Sequence, residues 1–154
     1  MTSCGLLVEE EHSMSAPPRI VLIEDSEADV CLVREALEQC GLKFELQVFE
    51  DGERGVDFIE TVGEHAIAIP NLILLDLNLP KKGGAQVLER IRRNGACAQI
   101  PVVILTSSDS PKDKTLVADL GATEYFRKPS QLKEFMMLGP LVQRLLVAGK
   151  SATA

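Results

Sequence analysis

Several residues able to do chemistry stand directly after apolar runs in this 154-residue chain: Glu24 and Asp25 after RIVLI, Asp76 after LILL, Thr106, Ser107 and Ser108 after PVVIL, and Lys128 after EYFR. Taken singly, each has an ordinary explanation. An acid pair suits the start of a helix, an Asp caps a turn, and a Lys before Pro129 can sit in a solvated loop. Taken together they describe a site. Three carboxylates drawn close repel one another and raise each other's pKa, a conflict that a cation among them removes. Oxygen donors without thiolate or imidazole suit Mg²⁺, which keeps several of its waters. Lys128 beside such an ion makes a place for a phosphoryl group, whose oxygens the metal and the ammonium would neutralise. The Thr106 hydroxyl and backbone N–H groups would bind the rest. Asp76 is then the nucleophile, since carboxylates form covalent phosphoryl intermediates.

The chemistry requires these residues to meet, so the elements between them matter. Arg19 to Ile23 reads as a first strand. A helix follows, with Val30, Val33 and Leu37 and also Leu32, Ala36 and Cys40 at helical spacing, stopped by Gly41. Phe44 to Phe49 alternates as a half-buried second strand. Asp51 caps a helix carrying Val56, Phe58 and Ile59, and residues 63–70 form a loop. Leu72 to Leu75 is the third strand, and Val87, Leu88 and Ile91 mark the third helix. Pro101 to Leu105 is the fourth strand. Ser110-Pro111-Lys112-Asp113 opens a helix that Gly121 ends. Thr123 to Arg127 is a short fifth strand. The last helix is expected from about Gln131 to Leu146, kinked or broken where Gly139-Pro140 falls. Alternating strands and helices with near-continuously apolar strands mean a parallel sheet covered on both faces. In such sheets function gathers beyond the carboxyl ends of the strands, where all the residues named above stand.

Composition narrows the classes. The formal charge is −7, from 16 basic and 23 acidic residues, which argues against a general nucleic-acid binder. No apolar run approaches membrane-spanning length, and Glu9, Glu10 and Glu11 stand where a signal peptide wants Lys or Arg. Cys4, Cys31, Cys40 and Cys97 form no zinc-ligand spacing and read as reduced thiols, so the expected compartment is the cytoplasm. Residues 1–18 read as a flexible tail, 19–148 as one domain, and 149–154 as a second tail.

The motifs VLIEDSEAD, LILLDLNLP, VVILTSS and EYFRKPS together resemble those of the receiver domains of two-component response regulators, the class that includes the bacterial chemotaxis receiver. The resemblance runs from about Arg19 to Leu146. It implies a doubly wound, flavodoxin-like α/β fold of five parallel strands in the order 2-1-3-4-5. It also implies roles. Asp76 matches the phospho-acceptor. Glu24, Asp25 and Asp76 match the Mg²⁺ carboxylates, Glu24 acting largely through water, and Asn78 would add its backbone carbonyl. Asn78, Thr106, Ser107 and Lys128 would contact the phosphoryl group. Thr106 and Tyr125 match the switch pair, and Pro129 a proline preceded by a cis peptide. The stretches EDSEADVCLVREAL and LDLNLPKKGG are most like those of small single-domain regulators, some of which serve bacterial phytochromes. Lys81-Lys82 is the feature that points there.

The implied activity is that of a signalling module rather than an enzyme with a small-molecule substrate. A sensor histidine kinase, such as a bacteriophytochrome, would pass a phosphoryl group to Asp76. The domain would assist its own phosphorylation and dephosphorylation. With no further domain expected after the last helix, output would be protein binding at a surface bearing Lys112, Lys114, Arg127 and Lys133, or homodimer formation through Phe135, Met136, Leu138, Leu141 and Leu145. The simpler reading of those five is packing on the sheet. Two alternatives stand beside this: a pseudo-receiver that binds partners without phosphorylation, and a haloacid-dehalogenase-type phosphotransferase. The latter wants a second Asp where this chain has Asn78. No G-x-x-x-x-G-K-[ST] loop is present, which disfavours a P-loop nucleotide enzyme.

Overall fold

The structure is a computed structural model that describes residues 16–64 and 68–153, with side chains described through residue 149. Residues 1–15 of the expected N-terminal tail, and 65–67 of the loop expected over 63–70, lie outside the described residues. The elements are β1 (Arg19–Ile23), α1 (Glu27–Gln39), β2 (Glu45–Phe49), α2 (Gly52–Thr61), β3 (Leu72–Asp76), α3 (Gly84–Arg93), β4 (Val102–Thr106), α4 (Pro111–Asp119), β5 (Glu124–Arg127), α5 (Leu132–Phe135) and α6 (Leu138–Thr153). All strand pairs are parallel, and the order is β2-β1-β3-β4-β5. This is the arrangement the resemblance implied.

Two apolar clusters explain why the strands read as unbroken apolar runs. Ile20, Leu22, Leu72, Leu74, Val103 and Leu105 face one side, with Val33, Ala36, Leu37, Phe135, Leu138 and Val142 of α1, α5 and α6. Val21, Ile23, Ile73, Leu75, Val102 and Ile104 face the other, with Val56, Ile59, Val87, Leu88, Ile91 and Val117 of α2, α3 and α4. Side chains alternate along each strand, so a sheet buried on both faces must be apolar at every position.

The helix starts follow their side chains. Ser26 caps α1 by accepting from Asp29 N–H, Asp51 caps α2 by accepting from Arg54 N–H, and Ser110 caps α4 by accepting from Asp113 N–H. β3 and β4 each run one residue further than expected, so Asp76 and Thr106 are themselves the last strand residues. β5 starts at Glu124 rather than Thr123.

The C-terminal region departs most from expectation. The last helix is broken rather than kinked, but at Met136 and Met137 instead of at Gly139-Pro140, which leaves two helices, α5 and α6. Pro140 falls in the first turn of α6, where the backbone N–H has no intrahelical partner to lose, so the proline causes no kink there. α6 continues to Thr153, through most of the expected 149–154 tail. Gly139 is required by packing: a Cβ built there would strike the Ala36 carbonyl and come within 3.1 Å of Cys40 Sγ, so this glycine lets α6 lie close against α1. Of the five residues considered for a homodimer face, Phe135 and Leu138 are buried, and Met136, Leu141 and Leu145 pack against the same cluster. All five serve the core.

Candidate functional site

The register brings the site together. Ile23 lies beside Leu75, Asp76 beside Leu105, and Thr106 beside Arg127. The residues just past β1, at the ends of β3 and β4, and just past β5 therefore share one edge of the sheet. Ligand oxygens of Glu24, Asp25 and Asp76 all lie within 4.8 Å of one another. Glu24 and Asp76 are buried and Asp25 is exposed, so the cluster opens to solvent on one side. Thr106 is fully buried beneath the same edge.

The two buried carboxylates are held by nearby main chain. Asn78 N–H donates to Asp76 Oδ1 at 3.1 Å, and Ser26 N–H donates to Glu24 Oε2 at 3.1 Å. The loop after Asp76 is held in turn. Gly84 N–H donates to the Leu77 carbonyl at 3.0 Å, and a Cβ on Gly84 would strike the Asp76 carbonyl, so glycine is required where α3 starts against the end of β3. Lys81 adopts φ 68°, a left-handed conformation that a side chain disfavours, and its Nζ lies 3.7 Å from Asp51 Oδ2. The Lys81-Lys82 pair singled out in the sequence thus contributes one ion pair that ties the β3–α3 loop to the start of α2.

Lys128 is the cation of the site. Its Nζ donates to Glu24 Oε1 at 2.8 Å and to Asp29 Oδ2 at 2.7 Å, and lies 3.6 Å from Asp76 Oδ2. Burial pushes the Glu24 carboxyl up to about 7, with Asp76 beside it adding to the effect and Lys128 opposing it. Burial disfavours the Lys128 charge, but hydrogen bonds to Asp29 and Glu24 and the charge of Asp76 outweigh it and hold the ammonium above the ordinary lysine range. Asp29 is a residue that sequence reasoning missed. It stands inside the VLIEDSEAD motif, but nothing in its spacing announces a partner 99 positions away.

The switch candidates are also placed. Tyr125 is half-buried, and its hydroxyl donates to the Ser108 carbonyl at 2.8 Å. Ser108 N–H donates to Thr106 Oγ1 at 3.1 Å, and Ser108 Oγ donates to Asp113 Oδ2 at 2.7 Å. Ser108, named among the strand-end hydroxyls but given no role there, therefore touches Thr106, Tyr125 and the first turn of α4 at once. Ser107 and Asn78 have exposed side chains on the same edge. Pro129 departs from expectation: no described peptide bond is cis, so the Lys128–Pro129 bond is trans, the isomer that X-Pro bonds favour by about 0.5–1 kcal/mol.

The donor set fits a hard divalent cation. It is all oxygen, and Lys128 is shared with a fourth carboxylate, Asp29, so the cluster keeps uncompensated negative charge.

Comparison with known proteins agrees with this geometry. The family model for the response regulator receiver domain matches residues 20–138. The chain is 40% identical over 126 residues to response regulator Rcp1 of Synechocystis sp., covering 80% of this chain and 86% of that protein. The Mn²⁺-bound crystal structure of Rcp1 superposes with a TM-score of 0.74 at 39% identity, covering 82% of this chain and 92% of that one. The phosphorylated cyanobacterial phytochrome response regulator RcpA superposes with a TM-score of 0.76 at 34% identity, covering 86% and 95%. The bacteriophytochrome response regulator RtBRR gives 0.67 at 36% identity, covering 79% and 75%. The fold, the acidic edge and these relatives together make this chain a member of the response regulator receiver domain family.

Proposed function

We propose that Asp76 accepts a phosphoryl group from a histidine kinase and that the resulting phosphoprotein signals through a changed protein-binding surface. The observation that carries this reading is the shared edge: three carboxylates within 4.8 Å, with Lys128 Nζ 3.6 Å from Asp76 Oδ2. Asn78 N–H fixes the acceptor carboxylate through Oδ1, so the nucleophile is oriented before the donor arrives. An Asp76 oxygen attacks phosphorus as the phosphohistidine P–N bond breaks, and the imidazole leaves. Lys128 and the Thr106 hydroxyl bind phosphoryl oxygens, with Ser107 and Asn78 at the rim of the site. A Mg²⁺ ion, held by Glu24, Asp25, Asp76 and the Asn78 carbonyl, would when bound neutralise charge on the phosphoryl oxygens. In the reverse step water attacks phosphorus, the Asp76 O–P bond breaks, and phosphate leaves. The domain thus assists both reactions on itself.

A Thr106 hydroxyl that moves toward the phosphoryl group leaves the Ser108 N–H that it now accepts from. That releases the loop that also carries the Tyr125 contact. The change reaches the surface of α4 and β5, where Lys114 Nζ lies 3.1 Å from Asp109 and 5.6 Å from the centre of the Tyr125 ring. Leu116 is exposed on α4, as are Lys112 and Lys114 on the same helix, Arg127 at the end of β5 and Lys133 on α5. A second copy of the chain or another protein is the reader of this surface. Similarity to Rcp1, RcpA and RtBRR supports a phytochrome-type kinase as donor. Cys31, Cys40 and Cys97 are free thiols, which supports a cytoplasmic setting. Among the described residues no helix is long and apolar enough to cross a membrane.

Phosphotransfer from a phosphorylated phytochrome-type histidine kinase tests the donor. Rapid loss of label from the kinase with this chain, and none with Asp76→Asn, is expected. Equal loss with both would contradict Asp76 as acceptor, and transfer only from an unrelated kinase would contradict the choice of donor.

A further inference from the structure

Lys128 is committed to two partners other than Asp76. Its hydrogen bonds to Glu24 and Asp29 are 2.8 and 2.7 Å, whereas Asp76 Oδ2 at 3.6 Å lies beyond hydrogen-bonding range. An ammonium has three N–H donors, and a phosphoryl group on Asp76 would claim at least one of them. One present partner must then yield or share. Glu24 is poorly able to do so, because its side chain is fully buried and cannot turn into solvent. Asp29 is different: its side chain is 26% exposed, so its carboxylate can rotate into solvent. Its backbone is fixed, with N–H donating to Ser26 Oγ in the first turn of α1. Only a side-chain torsion has to change.

We propose that Asp29 is a positioning residue that competes with a phosphoryl group on Asp76 for the Lys128 ammonium, and so sets how tightly that group is held. The inference rests on Asp76 as the acceptor. A second effect acts in the same direction. The Asp29 carboxylate is a further negative charge at the cation that must receive a dianion, so each phosphorylation proceeds against it. A purely structural role, anchoring the start of α1 to the end of β5, predicts a loss of stability and nothing else.

The test is titration with beryllofluoride in the presence of Mg²⁺, as a stable stand-in for the phosphoryl group, on the full chain. Tyr125 is the only tyrosine and there is no tryptophan, so intrinsic fluorescence reports this residue. The thermal midpoint gives a second readout. Asp29→Asn and Asp29→Ser remove the competing charge in two ways, and the half-saturating concentration is expected to fall three-fold or more in both. Asp29→Glu keeps a carboxylate within reach of Lys128 and is expected to stay within about two-fold of the parent. Unchanged half-saturation in Asn and Ser variants that fold, whatever their midpoints, overturns the proposal and leaves Asp76 as acceptor untouched. A parent chain that gives no response to beryllofluoride in either readout overturns the acceptor reading, and this inference with it.

Discussion

Glu24 sits 1% exposed between a neighbouring carboxylate and an ammonium, and its protonation follows from that position. Its carboxyl titrates at about 7, against an ordinary 4.5. Between those values the folded chain holds a proton that the unfolded chain has released. Its contribution to stability is therefore complete below pH 4.5 and is lost as pH rises through about 7. Thermal unfolding from pH 5 to 8 should show this decline, and Glu24→Gln should flatten it. A divalent cation favours the ionised form, so Mg²⁺ should raise the midpoint more at pH 8 than at pH 6. Equal shifts at the two pH values would mean that Glu24 takes no part in binding the ion. Ser108 makes a comparable case on the switch side. Ser108→Ala removes the hydroxyl that donates to Asp113 and accepts from Ser110 N–H. The expected cost is about 1 kcal/mol, with faster hydrogen exchange at the first-turn amides of α4. Unaltered exchange there would show that the serine does not couple the loop to the helix.

Among the elements, α6 shows how packing overrides a local signal. Gly139-Pro140 in the sequence suggests a kink or break at that pair, but the break falls at Met136 and Met137, the proline occupies a first turn and the glycine a helix crossing. The same substitution should therefore act oppositely at two glycines of this helix. Gly139→Ala forces a methyl group against α1 and should destabilise by about 1–3 kcal/mol. Gly149→Ala meets nothing within 4 Å and should stabilise by up to about 1 kcal/mol. Denaturant unfolding of the two variants decides it, and matching signs would contradict the crossing. Arg92 joins elements in a way no motif announces: its guanidinium donates to the carbonyls of Ala98 at 3.1 Å, Ile100 at 2.7 Å and Gly121 at 3.0 Å. Arg92→Met should cost about 2 kcal/mol, measured the same way. What the sequence made legible were features with a local cause: Asp51 and Ser110 as caps, the fully apolar strands, and the acids and lysine at strand ends, whereas the cap of α1 is Ser26 and not the acid pair before it. Asp29 and Arg92 escaped because their partners are set by tertiary approach rather than spacing, and Ser108 was legible as a strand-end hydroxyl but its contact with Tyr125 was not. The cis bond expected before Pro129 was an inference from resemblance alone, and the described bond is trans.

Across the whole molecule, the sheet converts sequence distance into proximity. Two apolar clusters hold five parallel strands rigid, so residues as far apart as Glu24 and Lys128 meet at 2.8 Å on one edge. That edge carries more acid than base, exposes Asp25 to solvent, and keeps Thr106 buried. The account therefore stands on Asp76 forming a bond to phosphorus there, with a divalent cation present. The most direct measurement is intact mass after incubation with acetyl phosphate, with and without Mg²⁺, for the parent chain and Asp76→Asn. One added phosphoryl mass is expected in the parent chain with Mg²⁺ and none in the other three samples. An adduct that persists in Asp76→Asn, or no adduct in any sample even when hydrolysis is slowed, would contradict it and leave a receiver fold that binds partners without being phosphorylated.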